Sequence, residues 1–372
     1  MRAMASINMH LENLISEMAF ALKEKMGARH QRWAKDTAVF VAADDGTLAA
    51  IDNELHFGSA SEMTSSLLGP QGIAIGDGDI VACNDPYLGS AHVQDFYVLS
   101  PVYHLGRTVA LLGAKAHMPD IGGNVQGGFN PQAEEVWAEG ARFTPLKICR
   151  EGRTDTYAFN MILLNSRSPD LLRTGLDAMI AALESGRQSV QSLLQASGEQ
   201  ALTEQFTATA ADTAKRLREI VSRWPAGEYA DSCPVRDGRI KAKDLRIQSK
   251  LTVVNGAVAI DLSANPAQLK EPYNSSRGNT LSFALMPFFP LLPAGTAING
   301  GIWKVLRVTS AKGTVVDPVP PAPTAFCPFH VGQEIATSVM GSLNKVLSRE
   351  DKARLSEWLP GALSWHPQDV NS

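Results

Sequence analysis

The chain has four cysteines in 372 residues, and Cys83, Cys149, Cys233 and Cys327 stand too far apart to make a CxxC pair. That excludes a thiolate zinc site and leaves a reduced cytosolic chain as the simplest expectation. Charge is thin and scattered: 34 Lys and Arg against 38 Asp and Glu give a net of -4, with no basic run and no acidic tail. Nucleic acid has no electrostatic footprint to hold. Long apolar runs are missing too. The most apolar segment, "LSFALMPFFPLLPAG" from Leu281 to Gly295, is cut by Pro287, Pro290 and Pro293, and it is too short to span a bilayer as a helix. Near the N-terminus "INMHLENLISEMAFALKEK" carries charge throughout, unlike a signal peptide. A soluble cytoplasmic chain with no membrane partner is expected. No nucleotide site of its own is expected either. "GNVQGG" (Gly123 to Gly128) lacks the Lys-Ser/Thr of a P-loop, and "LSFALMP" lacks the G-x-S-x-G elbow.

What is present is an ordinary globular composition, 44% hydrophobic and 19% charged, with enough length for a sizeable core. Ser6 is a candidate cap for a first helix. Ile7, Leu11, Leu14, Ile15, Met18 and Leu22 then recur at helical spacing, and Gly27 offers the stop. "TAVFVA" (Thr37 to Ala42) reads as a strand ending at the turn signal "ADDG". "FYVLSPVYHLGRTVALLGAKAH" reads as two strands, Phe96 to Tyr103 and Thr108 to Ala116, about a turn at Gly106. Residues from Pro169 to about Arg223 have helical periodicity. "WPAGEYADSCPVRDG" breaks that run and is the candidate boundary. Asn255-Gly256 between alternating runs signals a second hairpin. "VDPVPPAPTAFCP" is a Pro-rich connection, and a last helix is expected over about Gly332 to Val346. The expected fold is α+β, with mixed or antiparallel sheets and packed helices. Its expected parts are an N-terminal α+β metal-site domain (1–165), a helical segment (166–224) and a C-terminal α+β domain (225–372).

Two polar clusters carry the chemistry. "NDPYLGSAHVQD" (Asn84 to Asp95) precedes the first strand of the Gly106 hairpin, and "AKAHMPDIGG" (Ala114 to Gly123) follows the second. The outer ends of an antiparallel hairpin lie side by side. His92 and Asp95 should therefore approach His117 and Asp120, with Asp36 arriving from the start of "TAVFVA". Two imidazoles with carboxylates suit zinc, manganese or ferrous iron, and Asp120 is either a fourth carboxylate or the acceptor that fixes a His tautomer. Gly89, Gly122 and Gly123 allow close backbone approach. Asp and Asn beside Pro and Gly are also what ordinary loops contain. At this level two polar turns and one metal site both stand. His56, His104 and His330 have no acidic neighbour at useful spacing.

"GDGDIVACNDPYLGSAHVQDFYVLSPVY" resembles the hydantoinase B/oxoprolinase family, whose members show a "NDPY-x-GG-x-H-x-x-D" stretch. "AHMPDIGGNVQGGFNPQAEEVWAEGARFTPLKI", "NSRSP" (Asn165 to Pro169), "AIDLSANPAQLKEPYNSS" and "HVGQEIATSVMGSLNKVL" resemble later family segments in the same order. The resemblance covers about residues 6 to 348, with Ser90 standing where the family has a second Gly. It implies the hydrolytic B subunit of an ATP-dependent cyclic amide hydrolase acting on hydantoin, oxoproline or lactam rings. A hydantoinase A-like partner would bind the ATP and phosphorylate the small-molecule substrate. The implied ligands of a divalent metal (zinc, manganese or iron) are Asp36, His92, Asp95 and His117. Asp120 or Asp85 would accept the proton of water. Glu139 and Arg142 would orient substrate, with Arg142 and Glu139 also able to pair, and Asn84 would touch substrate. Family chains continue past residue 348 into a Gly-rich region, so the resemblance implies either a third subunit that supplies it or a split or minimal member of the family. The rival implications are a B-like subunit of a ketone carboxylase of the acetone or acetophenone type, and a non-catalytic structural subunit.

Overall fold

A computed structural model describes residues 2–27, 36–70, 72–236 and 239–362. The closing stretch from residue 363 lies outside them. The fold is α+β, as expected, with one antiparallel and one mixed sheet. The helices are α1 (Arg2–Met26), α2 (Phe57–Leu68), α3 (Thr156–Leu163), α4 (Pro169–Val221), α5 (Arg277–Leu285), α6 (Gly332–Leu343) and α7 (Arg349–Ala362). Ser6 falls inside α1 rather than at its cap, because the helix starts at Arg2. Gly27 does end it, at φ +64°, the left-handed conformation that terminates helices. Helix α4 is broken at Gly198, where φ is 77°.

The larger sheet is built from β1 (Thr37–Ala42), β2 (Leu48–Ile51), β3 (Ile80–Cys83), β4 (Asp95–His104), β5 (Arg107–His117), β6 (Leu146–Arg150) and β7 (Arg153–Thr154), in the order β2-β1-β5-β4-β3-β6-β7. Every residue of "TAVFVA" is buried, which is why it reads as a continuous apolar run rather than an alternating one. Successive residues face opposite sides. Val39, Val41, Phe96 and Val98 pack against α1 and α4, while Phe40, Ala42, Tyr97 and Leu99 pack into a second core with the C-terminal half. One sheet thus serves two cores.

The second sheet contains β8 (Gly227–Pro234), β9 (Arg246–Val254), β10 (Ala257–Asp261) and β11 (Leu306–Thr309), with β11 parallel to β10. The Asn255-Gly256 hairpin forms as expected, both residues at positive φ. "WPAGEYADSCPVRDG" does break the helical run, since α4 ends at Val221, and within it Gly227–Pro234 is an edge strand paired along its whole length with β9. One expectation is corrected. The last helix is α7, beyond the one expected: its start is capped by Ser348, whose Oγ accepts the Asp351 N–H. Among the described residues no helix is long and apolar enough to cross a membrane.

Candidate metal centre

The β4–β5 hairpin sets the geometry. Its register pairs Asp95 with His117 and Tyr97 with Lys115. Directly opposed residues of an antiparallel pair project to the same face, so all four side chains leave the sheet on one side. Strand β1 pairs Ala38 with Lys115. Asp36, two residues before Ala38, therefore comes to the same face and the same edge.

His92 arrives from the loop before β4. The Asp95 N–H donates to the His92 carbonyl at 3.0 Å, and Ser90 Oγ lies 2.8 Å from His92 O and 2.7 Å from Asp95 O. Gly89 starts this turn at φ +131°, and a Cβ there would meet the Met63 backbone nitrogen at 2.4 Å. Only glycine lets the loop lie so close to α2.

The result is a buried cluster. His92 Nε2 is 3.4 Å and His117 Nδ1 3.1 Å from Asp95 Oδ1. His117 Nδ1 is also 3.6 Å from Asp36 Oδ2. His92, Asp95 and His117 each offer one ligand atom, all within 4.8 Å of one another, and each residue is 2% exposed. His92 Nδ1 is buried with no partner among the described residues, a costly state that a ligand would relieve. Imidazole nitrogens with a carboxylate are the donors a borderline divalent ion prefers. These residues fit a metal.

Sequence reasoning missed Lys115. Its ammonium is fully buried and bridges Asp36 Oδ1 and Asp95 Oδ1, the latter at 3.1 Å. Burial opposes ionisation of both carboxyls, but the Lys115 charge overcomes it and holds both below the usual range; His56 assists at Asp36, and His92 and His117 at Asp95. The two carboxylates in turn raise Lys115 against its own burial penalty. Burial lowers His117, favouring the neutral imidazole that a metal requires. The signal for Lys115 was its position: Gly113, Lys115 and His117 alternate along a strand that runs apolar from Val109 to Leu112 before them. His56 corrects a second reading, since its Nε2 is 2.9 Å from Asp36 Oδ1. His330, also read as lacking an acid, has Nδ1 3.9 Å from Glu334 Oε1.

The remaining expected residues hold loops around this cluster. Asn84 is fully buried: its Nδ2 donates to Val93 O and Ala141 O, and its Oδ1 accepts the Phe143 N–H. Those bonds occupy the amide that was expected to touch substrate. Asp85 caps the turn by accepting from Tyr87 N at 3.0 Å. Arg142 lies 3.7 Å from Asp85 Oδ2 and over the Tyr87 and Trp137 rings, so its acid is Asp85 and not Glu139. The Glu139 carboxylate accepts from Thr324 N and Ala325 N at 3.0 and 2.7 Å. Asp120 is fully buried and accepts from the Arg167 guanidinium at 2.9 Å and the Arg167 N–H at 2.6 Å. That gives the "NSRSP" motif a structural purpose. Among the described residues, the metal-competent group does not include Asp120.

The fold and the cluster together define an α+β protein with a buried nitrogen-and-carboxylate site at the outer end of a central hairpin. The chain belongs to the hydantoinase B/oxoprolinase family, whose profile matches residues 3–364. It is similar to the caprolactamase subunit beta of Pseudomonas jessenii, 27% identical over 339 residues, which are 90% of this chain and 58% of that protein. It is 22% identical over 322 residues to the acetophenone carboxylase delta subunit of Aromatoleum aromaticum, covering 84% of this chain and 46% of that one. In fold it matches the crystal structure of the ATP-dependent caprolactamase from Pseudomonas jessenii at a TM-score of 0.87 and 24% identity, over 94% of this chain and 60% of that one. It matches nucleotide-free acetone carboxylase at 0.80 and 15%, over 92% and 48%. The chain therefore spans about half the length of these relatives.

Proposed function

We propose that this chain is the hydrolytic B-type subunit of an ATP-dependent complex that opens cyclic amides, whether hydantoin, oxoproline or lactam rings. The observation that carries this reading is the Asp95–His117 register pair with His92 folded onto it. His92, Asp95 and His117, with Asp36 beside them, would hold the divalent ion, zinc, manganese or iron. Bound there, such an ion supplies Lewis acidity for hydrolysis.

The chain's own residues prepare that site. His117, kept neutral by burial, offers a lone pair rather than a proton. Lys115 keeps Asp36 and Asp95 ionised while cancelling part of their charge. The Phe129 ring lies against both imidazoles, 5.6 Å from His92 and 6.0 Å from His117 between centroids, and keeps bulk water off them. ATP would be bound by a hydantoinase A-like partner, because the sequence offers no phosphate loop here. Phosphorylation of the amide oxygen by that partner creates the leaving group that an amide lacks, which is the physical reason for coupling ring opening to ATP.

The test is elemental analysis of the purified chain beside a His92→Ala/His117→Ala double variant, followed by assays in the assembled complex. About one equivalent of metal, lost in the variant together with ATP-dependent amide hydrolysis, supports the reading. The fold likeness to acetone carboxylase gives a second reading, a ketone carboxylase subunit, which would show ATP-dependent bicarbonate fixation instead. Hydrolysis that continues unchanged in the double variant would assign the chain a structural role.

A further inference from the structure

Aromatic rings pack over the buried cluster. Phe129 lies nearly parallel to His117, at 12°, and Phe326 and Phe329 flank it at 5.5 and 5.6 Å between centroids. Tyr273 backs Phe326 at 5.4 Å. The imidazoles beneath are almost fully buried, whereas Phe129, Phe326 and Phe329 are half-buried. The rings are therefore the layer between the cluster and solvent. Phe129 is set in place by its own loop. Gly127 and Gly128 precede it at φ +78° and +77°, and a Cβ on Gly128 would stand 1.5 Å from Gln94 Nε2. A side chain at 128 would have to displace Gln94, whose Nε2 donates to Glu139 O beside this loop.

We propose that Phe129, Phe326 and Phe329 form the hydrocarbon wall of the substrate site and select lactams whose ring is built of CH2 groups over rings bearing a carboxylate or a second carbonyl. The inference rests on the proposed amide-ring reaction and names its substrate class. A phenyl wall has no hydrogen-bond donor. A carboxylate laid against it loses water and gains nothing, while each CH2 buried there improves binding by about fourfold. A cation does stand close by, since the exposed Arg239 lies over Phe326 at 5.7 Å. It defines the opposing outcome, in which the site recruits an acidic substrate.

The experiment is saturation-transfer NMR on the full, zinc-loaded chain, with irradiation confined to aromatic protons. The probes are ε-caprolactam, hydantoin and 5-oxoproline. Caprolactam methylenes should receive saturation, and its affinity should exceed that of 5-oxoproline by about sixtyfold, about fourfold for each of three additional buried CH2 groups. Phe129→Ala should remove most of that preference. Phe129→Leu, which keeps an apolar wall, should retain it and serves as the control for folding. Equal binding of the three probes, no binding of any, an unchanged preference in Phe129→Ala, or a preference for 5-oxoproline that Arg239→Met abolishes would each overturn the inference. Zinc content and ATP-dependent turnover in the assembled complex are read separately. Loss of those with the lactam preference intact sinks the hydrolase reading alone, and the reverse pattern sinks the wall alone.

Discussion

Asp95 and Asp120 are both buried carboxylates, both begin or follow the same hairpin, and both were expected at the site. Their surroundings differ in kind. Asp120 is met by donors that keep their protons, the Arg167 guanidinium and backbone N–H groups of Arg167 and Gly127. No imidazole stands in that shell, and its one hydroxyl, Ser166 Oγ, donates to the Asp120 carbonyl. Asp95 is met at a single oxygen by Lys115, His92 and His117, and two of those three can ligate. Burial alone does not separate a structural carboxylate from a chemical one. The proton inventory of its partners does.

The strongest way to break this contrast is to remove Lys115. In Lys115→Met, Asp36 and Asp95 lose the ammonium that bridges them, and removing one partner of a buried ion network costs about 3–5 kcal/mol. Urea denaturation should register that loss. Adding zinc should recover more stability in the variant than in the native chain, because the metal then supplies the missing positive charge. An equal gain in both would mean that Lys115 and the cation do not share a task.

A third buried carboxyl, Glu139, sharpens the comparison through pH. Burial pushes it up to about 8 against the pull of the Thr324 and Ala325 N–H groups. Between its ordinary value of 4.5 and about 8 the unfolded chain releases the proton and the folded chain keeps it. Glu139 therefore makes stability fall as pH rises through that window. Asp36 and Asp95, both depressed, act with the opposite sign and only at acid pH. Urea midpoints at pH 5 and pH 8 should differ less in Glu139→Gln than in the native chain. An unchanged difference in the variant would mean that Glu139 is ionised in the fold throughout that range.

Much of this was legible in the sequence because it depended on period and punctuation. "TAVFVA" formed the strand it reads as, and the Gly106 hairpin brought the two quoted clusters together through the Asp95–His117 pair. What escaped was tertiary. Lys115 reads as surface charge until β1 and β4 are known to flank its strand. His56 reaches Asp36 across twenty residues of loop and strand, a distance no local spacing encodes. Helix α7 is mostly charged at its start, so its periodicity is faint, and the Ser348 cap was the clearer clue. Phe129, Phe326 and Phe329 are nearly 200 residues apart at their extremes, and nothing local pairs them. Arg142 found Asp85 rather than Glu139 because the Glu139 carboxyl turned toward 324–325.

The smallest of these effects returns to Asp120. In Asp120→Asn the Arg167 guanidinium loses its charged acceptor, and hydrogen bonds to charged groups are worth roughly 1.5–3 kcal/mol. Half-exposure of Arg167 softens that toward the low end, because its guanidinium can turn to water. The Arg167 and Gly127 N–H groups bond different oxygens of Asp120, so the single amide oxygen keeps one of those bonds and its NH2 faces the other donor, a rearrangement confined to the loop. Metal content should then stay at the native value, while Asp95→Asn loses the metal and also about 3–5 kcal/mol, because it leaves the buried Lys115 without one of its two carboxylates. Equilibrium denaturation with elemental analysis of both variants decides it. Metal lost from Asp120→Asn, with its unfolding midpoint intact, would move Asp120 from the scaffold into the site and erase the distinction between the two carboxylates.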